Sequence, residues 1–437
     1  MTRFLLAAMP AAGHIGPLLP IARELVHRGH YVAWYSGARV RDTIEATGAR
    51  FLPPGQARDI DPADLDAEFP ERAGKQGLAR FRFDMRRVFI AAVPGQVADL
   101  ETHVAAFGPD VLVAETALAA ACAVVDHRQR IPWATCNITV LVFRSRDTAP
   151  FGLGLMPPRS ALGRVRNRLV VAAIDRTLFR SINRDYQAMR ARLSLPPSSD
   201  GFVDLTLSPH LYLQPTAPSF EYPRSDLPPQ VRFVGPLLPP APDGFTEPPW
   251  WKELSGPRPV VLVTQGTIAT DPDELLLPAL EALRDEPVQV LAVTGGPDPA
   301  ALPAPPSNAR VERYVPFSAA MPHAAVLVSN GGYGGLHHAL AQGLPIVVVG
   351  ATEEKPELVA RLNWSGVGVG IKTQRPRPEQ LRAAVRHVLT EPQFRERAVA
   401  MQAEMAACGG AVRAADSWKS SARPAERRPS ERMARRA

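Results

Sequence analysis

A short apolar run that opens into a small-residue loop and then a helical pattern occurs in both halves of this chain, and few folds accommodate that order twice. Residues 4–8 read as a buried strand. Residues 10–16 follow as a loop, and Pro17 opens a helix with apolar positions at Leu18, Leu19, Ile21, Ala22, Leu25 and Val26. Gly29 ends that helix, and residues 31–35 form the next strand. Such a unit builds a parallel sheet, and its first loop lies at the carboxyl edge, where open sheets of this kind bind ligands. The unit recurs as a strand at 111–114, an Ala-rich helix over 117–129 and a strand at 133–137. Residues 55–95 are less regular. Their mixed charge and aromatic residues predict helical excursions lining a cleft.

The chain has 437 residues, more than one core usually serves. Between 195 and 251 it is crowded with proline, including Pro196-Pro197, Pro228-Pro229, Pro239-Pro240 and Pro248-Pro249. Proline at that density favours extended, semi-rigid chain over helix. A linker is therefore expected at 216–245, after a first domain at 1–215. A second α/β unit starts at 260–264 and continues with strands near 288–294, 311–314, 326–329 and 346–349. The second domain is expected at 246–400, a terminal helix at 401–418 returning to the first domain, and a basic disordered tail at 419–437. The fold class is thus α/β, with two doubly wound domains.

The net charge of +7 is mostly a tail effect. Lys419 and six arginines from Arg423 to Arg436 stand there against Glu426 and Glu431, so the body is nearly neutral. No nucleic-acid partner is expected from such a distribution. Cys122, Cys136 and Cys408 are odd in number and widely spaced, which fits a reducing, cytoplasmic setting and gives no metal-ligand spacing. The longest apolar run, 117–125, is too short to span a membrane.

The chemistry gathers at loops. In the second domain, Ser329-Asn330-Gly331-Gly332-Tyr333-Gly334-Gly335 joins a strand to a helix. Glycines there let backbone amides approach phosphate oxygens, and the helix N-terminus favours negative charge. A tight turn with close helix–sheet packing would also use those glycines. Walker and dinucleotide spacings are both absent. Gln265-Gly266-Thr267 follows another strand, and the Thr267 hydroxyl could donate to a second phosphate oxygen. In the first domain, His14 occupies the first loop, where an imidazole can serve as a general base. Glu115 sits just past the strand at 111–114 and could orient it, or could simply favour a helix N-terminus. The close acid pairs Asp59/Asp61 and Asp271/Asp273 read as surface acids, the latter at a helix start, and no metal is expected.

Together these segments resemble the UDP-glycosyltransferase family (family 1, GT-B fold), closest to its bacterial macrolide and natural-product branch. The resemblance covers residues 1 to about 418. Its most specific stretch is VSNGGYGGLHHALAQGLPIVVVGATEEKPELVARLNWSGVGVG, residues 328–370, and AAGHIGPLLPIARELVHRGH matches the family's N-terminal loop. The resemblance implies two Rossmann-like domains facing across a cleft, with the C-terminal helix crossing back. It implies an inverting, metal-independent transfer from a UDP-sugar to a hydroxyl of a small, largely apolar acceptor, with no cofactor beyond the donor substrate. His14 would be the base and Glu115 its support. Asn330, Gly331, Gly332, Gly334, Gly335, His338 and Thr267 would hold the nucleotide and its phosphates. Tyr314 would stack on the base, and Glu354 and Lys355 would contact the sugar. Phe81, Phe89, Phe143 and Phe151 are candidates to line the acceptor site. The expected state is a monomer or homodimer.

Several positions depart from the family pattern. Asn330 stands where His is usual, Gly335 where Ser, Thr or Asn is common, and His338 where a Glu binds the ribose. Glu115 replaces Asp, and Glu354-Lys355 replaces Asp-Gln. These changes bear on the donor more than on the reaction, and dTDP-deoxysugars are the alternative donors. A sugar-nucleotide epimerase and a non-catalytic partner protein are the rival classes. The first needs a second acid/base set near the sugar. The second sits poorly with retention of both His14 and Glu115.

Overall fold

The computed structural model describes residues 1–158, 160–239, 244–266 and 271–421. The first half supplies β1 (Arg3–Ala7), β2 (Tyr31–Tyr35), β3 (Arg50–Leu52), β4 (Val111–Glu115), β5 (Trp133–Cys136), β6 (Leu211–Gln214) and β7 (Val231–Phe233). They pair in the order β3-β2-β1-β4-β5-β6-β7, with every pairing parallel. The longer helices here are α1 (Leu18–His27), α2 (Val93–Phe107), α3 (Ala119–Gln129) and α4 (Ala161–Arg192). The apolar residues of β1 explain why both faces are covered. Phe4, Leu6 and Ala8 enter one buried cluster, and Leu5, Ala7 and Met9 enter another.

The second half repeats the plan with β8 (Val260–Thr264), β9 (Gln289–Val293), β10 (Ala309–Glu312), β11 (Ala324–Ser329), β12 (Ile346–Val349) and β13 (Gly368–Ile371). Their order is β10-β9-β8-β11-β12-β13, again all parallel. Val260 and Leu262 face one core, and Val261 and Val263 the other. The helices are α5 (Leu276–Leu283), α6 (Tyr333–Ala341), α7 (Lys355–Ser365), α8 (Pro378–Thr390), α9 (Pro392–Ala407) and α10 (Gly410–Ser421). Both sheets therefore reverse their winding at one place, between β1 and β4 and between β8 and β11. Loops at the carboxyl ends of those pairs are where a doubly wound sheet binds its ligand.

Two expected boundaries shift. The stretch 216–245 is not all linker: β7 lies inside it and closes the first sheet against β6. The flanking Pro228, Pro229 and Pro236 leave β7 itself free of proline, and it forms a three-residue edge strand. The returning helix begins at Gly410 rather than 401. Met401 and Met405 of α9 still belong to the second domain's core. In α10, Ala414, Ala415 and Trp418 pack into the first domain's core, with Trp418 edge-on to Phe4 at 5.8 Å between ring centroids. Arg28, just past α1, pairs with Asp416 at 2.7 Å. Among the described residues no helix is long and apolar enough to cross a membrane.

Candidate active site

His14 lies on a short helical turn, Ala12–Ile15, directly after β1. Its backbone N–H donates to the Ala11 carbonyl, which fixes the turn. Glu115 is the last residue of β4, β1's neighbour, so the sheet itself brings the two together. His14 Nδ1 lies 3.0 Å from Glu115 Oε2, a short contact off the line of an ideal hydrogen bond. Glu115 is fully buried, and its carboxylate accepts from the Met9 N–H at 3.2 Å and the Ala117 N–H at 2.9 Å. Those two amides hold the carboxylate while the imidazole keeps an exposed edge.

Burial by itself lowers the His14 pKa. The charge and contact of Glu115, with a smaller contribution from Glu354, outweigh it and hold the pKa above the ordinary 6.5. Glu354 belongs to the second domain, so His14 senses the opposite wall of the cleft. Burial in turn raises the Glu354 pKa, as does the neighbouring Glu353. Glu353 adopts φ 57°, a left-handed conformation that a side chain rarely takes and that often marks a functional turn. Lys355 is buried, its stem packed against the Cα of Gly331 and of Gly350, and its Nζ lies 3.9 Å from Glu353.

The glycine turn follows β11 and opens α6. Gly331 has φ +89°, and a Cβ there would lie 3.1 Å from Val348, so the turn needs glycine. Gly332 caps α6, and a Cβ on Gly332 or Gly334 would meet nothing within 4 Å. Gly335 sits on the Phe317 ring. The Asn330 side chain donates to the Gln265 carbonyl, linking this turn to the one after β8. Thr267 lies outside the described residues. His338 packs edge-on to Phe317 at 5.4 Å, and burial pushes its pKa down to about 4, so it is neutral at pH 7. Tyr314, two residues past β10, is widely exposed.

The four phenylalanines form no single cluster, but Phe143 and Phe151 line one cavity. Phe81 packs edge-on to Phe179 at 6.1 Å, and Phe89 lies partly buried against the first domain's core. Phe151 packs on the second domain's core. Phe143 is buried in a small core, edge-on to Tyr212 at 5.4 Å and covered by the Arg224 guanidinium at 4.8 Å. Among the described residues, no group of three or more His, Cys, Asp or Glu could hold a metal ion.

Two features escaped the sequence reading. Tyr333, inside the glycine turn, points back into the first domain and accepts from Gln214 Nε2 at 3.0 Å. Glu357 and Arg361 form an i,i+4 pair that reads as a solvated helix face but is buried with Glu221. The aromatic residue between glycines was the available signal for the first, and the second had none.

Residues 274–412 match the family described as "Erythromycin biosynthesis protein CIII-like, C-terminal domain". The chain is 46% identical over 415 residues to a 4′-demethylrebeccamycin synthase of Lentzea aerocolonigenes, covering 95% of this chain and 98% of that protein. The chain belongs to the UDP-glycosyltransferase family. A UDP-glycosyltransferase 2 of Phaeomoniella chlamydospora is 33% identical over 436 residues, 94% of each chain. The fold is that of the calicheamicin glycosyltransferase CalG4, with TM-score 0.76 and 20% identity over 98% of this chain and 100% of that one. It is also that of the glycosyltransferase VinC, whose structure holds dTDP, with TM-score 0.68 and 19% identity over 96% and 99%. This family member is a glycosyltransferase of the natural-product type, and its two sheets form the paired Rossmann-like domains of the GT-B fold.

Proposed function

We propose that this glycosyltransferase moves a sugar from a UDP-sugar to a hydroxyl of a small, largely apolar acceptor, inverting the anomeric carbon and using no metal. The observation that carries this reading is the His14–Glu115 pair at the first switch point, with Glu354 electrostatically felt from the opposite wall. His14 takes the acceptor's hydroxyl proton, and Glu115 stabilises the imidazolium that results. The acceptor oxygen bonds to the anomeric carbon as the bond to the β-phosphate oxygen breaks. The nucleoside diphosphate leaves from the opposite face with the electron pair.

Negative charge therefore grows where the glycine turn lies. Amides of Gly332 to Gly335 at the N-terminus of α6 and the Asn330 side chain are assigned as donors for it, while Gly331, whose N–H donates to Ser329 Oγ at 3.3 Å, shapes the turn. Thr267 is assigned a phosphate contact, His338 a ribose contact and Tyr314 the base. Glu354 and Lys355 take sugar hydroxyls. Phe81, Phe89, Phe143 and Phe151 are kept as acceptor contacts, Phe143 and Phe151 lining one cavity beside Glu357 and Arg361. A dTDP-deoxysugar donor is the second reading, favoured by the altered Glu354-Lys355 pair and by the dTDP held in VinC.

Thermal unfolding with UDP, dTDP and GDP in parallel, all with EDTA, tests the donor side. A ligand at 100 times its Kd adds about 2.7 kcal/mol to the folded state. Stabilisation by UDP names the donor class, and by dTDP alone the second reading. No response to any of them contradicts both. A transfer screen of flat aromatic hydroxyl compounds then identifies the acceptor, with the product's anomeric configuration read by NMR.

A further inference from the structure

Helix α7 begins one residue after Glu354, so whatever its side chains grip is placed relative to the donor-sugar contacts. Glu357, in its first turn, grips the other domain. Its Oε1 accepts from the Gly152 N–H at 2.9 Å and the Gly154 N–H at 2.8 Å, both in the loop that follows β5 of the first domain. Its Oε2 takes Arg361 Nη1 at 2.8 Å. Arg361 spends Nε and Nη2 on Glu221 Oε2, at 3.0 and 2.8 Å, and lies over the Tyr222 ring at 4.3 Å. The remaining Glu221 oxygen accepts from the Leu141 N–H at 2.8 Å. Two carboxylates and one guanidinium, all at most 5% exposed, are thus closed off by three backbone amides of the first domain.

Two further contacts make the grip specific. Gly154 has φ +60°, and a Cβ there would lie 2.4 Å from the Pro356 carbonyl oxygen, so only glycine allows the approach. Lys372, just past β13, donates to the Leu153 carbonyl at 2.9 Å. Next in the loop, Leu155 and Met156 are left exposed, although both are apolar. A buried ion cluster is a poor source of stability against an apolar one of equal volume, yet it fixes geometry closely.

We infer that Glu357 is a positioning residue that fastens the 151–156 loop to the donor-binding domain, so that the acceptor wall is set by the same helix that carries the sugar contacts. Arg361 and Glu221 hold Glu357 in place for this. The role in acceptor placement rests on the transfer reaction proposed for the cleft; the fastening itself does not.

The test compares the full chain with Glu357→Ala and Glu357→Gln by amide hydrogen exchange, with UDP and dTDP affinities measured alongside. In Glu357→Ala, exchange in the peptide covering 151–156 is expected to rise at least tenfold. Glu357→Gln, which keeps an acceptor oxygen, restores part of the protection. Nucleotide affinity and exchange across 330–345 stay within twofold. With the acceptor found by the transfer screen, acceptor KM rises about tenfold while donor KM is unchanged. Unchanged exchange at 151–156 in Glu357→Ala would overturn the inference, as would an equal rise across 330–345, which would mark general loosening. Failure of the wild-type chain to bind any nucleotide would instead strike at the transfer reading and leave the exchange result to stand or fall separately.

Discussion

Gln214, the last residue of β6, donates to the Tyr333 hydroxyl at 3.0 Å, so the glycine turn of one domain is tied to the sheet of the other. The link extends on both sides. Gln214 Oε1 accepts from Asn137 Nδ2 at 2.7 Å, and Asn137 Oδ1 accepts from the Thr116 hydroxyl at 2.9 Å, one residue past Glu115. One turn along α6, His337 Nε2 meets the Thr216 hydroxyl at 2.8 Å. A continuous, mostly buried polar seam thus runs from beside Glu115 to α6. Tyr333→Phe removes one link while Gln214 Nε2 keeps the Thr139 carbonyl at 2.9 Å. Its expected cost is about 1 kcal/mol in urea unfolding. Gln214→Leu takes a partner from Asn137 and leaves the Tyr333 hydroxyl only its long contact to the Pro215 carbonyl at 3.5 Å, and is expected to cost roughly 2–3 kcal/mol.

The pH dependence of transfer follows from His14. The base must be neutral, and its pKa is held above 6.5. kcat/KM should therefore climb with pH through an apparent pKa above 6.5. Glu115→Gln removes the groups' mutual attraction but leaves burial, so the apparent pKa should fall while the rate also falls. The sign for stability is opposite: the pairing stabilises the fold fully below pH 6.5, and this is lost as pH rises through the folded pKa. pH–rate profiles of the two proteins check the shift. An unmoved profile would contradict the pairing.

His337 behaves oppositely. Burial pushes its pKa down to about 4, so the folded protein holds it neutral between Thr216 and the Tyr333 carbonyl. The stability this confers is present above pH 6.5 and lost as pH falls from 6.5 towards 4. Between pH 7.5 and 5 the loss is expected to be about 2 kcal/mol. Urea unfolding at the two pH values measures it, and His337→Gln should remove this share of the dependence while leaving the similar share of His338, whose pKa burial also pushes down to about 4.

The returning helix gives a packing test. Trp418 is buried against Phe4, and Trp418→Ala is expected to cost roughly 3–5 kcal/mol. Asp416→Ala removes the half-exposed partner of Arg28 and should cost less than about 1 kcal/mol. Equal effects would place the hold of α10 in the ion pair rather than the core.

What could be read beforehand, and what could not, has a physical pattern. The strands that lead to His14, Glu115 and Asn330 have apolar interiors and end at loops, so both switch points were legible. The 32-residue α4 was not read as a helix, because it has no single apolar face: Leu162, Val165 and Leu169 are exposed near its start, whereas Ile182, Tyr186 and Met189 are buried near its end. β7 was hidden by the prolines around it. Glu221 and Arg361 are 140 residues apart, and nothing local marks either as half of a buried pair. Long-range pairing of this kind is decided by how the two domains meet, which no local pattern reports.

The most direct test of the central claim is transfer and nucleotide binding measured side by side in the wild type and His14→Ala. Loss of transfer by a factor on the order of 10²–10⁴, with UDP or dTDP affinity unchanged, is the expected result. Undiminished transfer in His14→Ala would contradict the account.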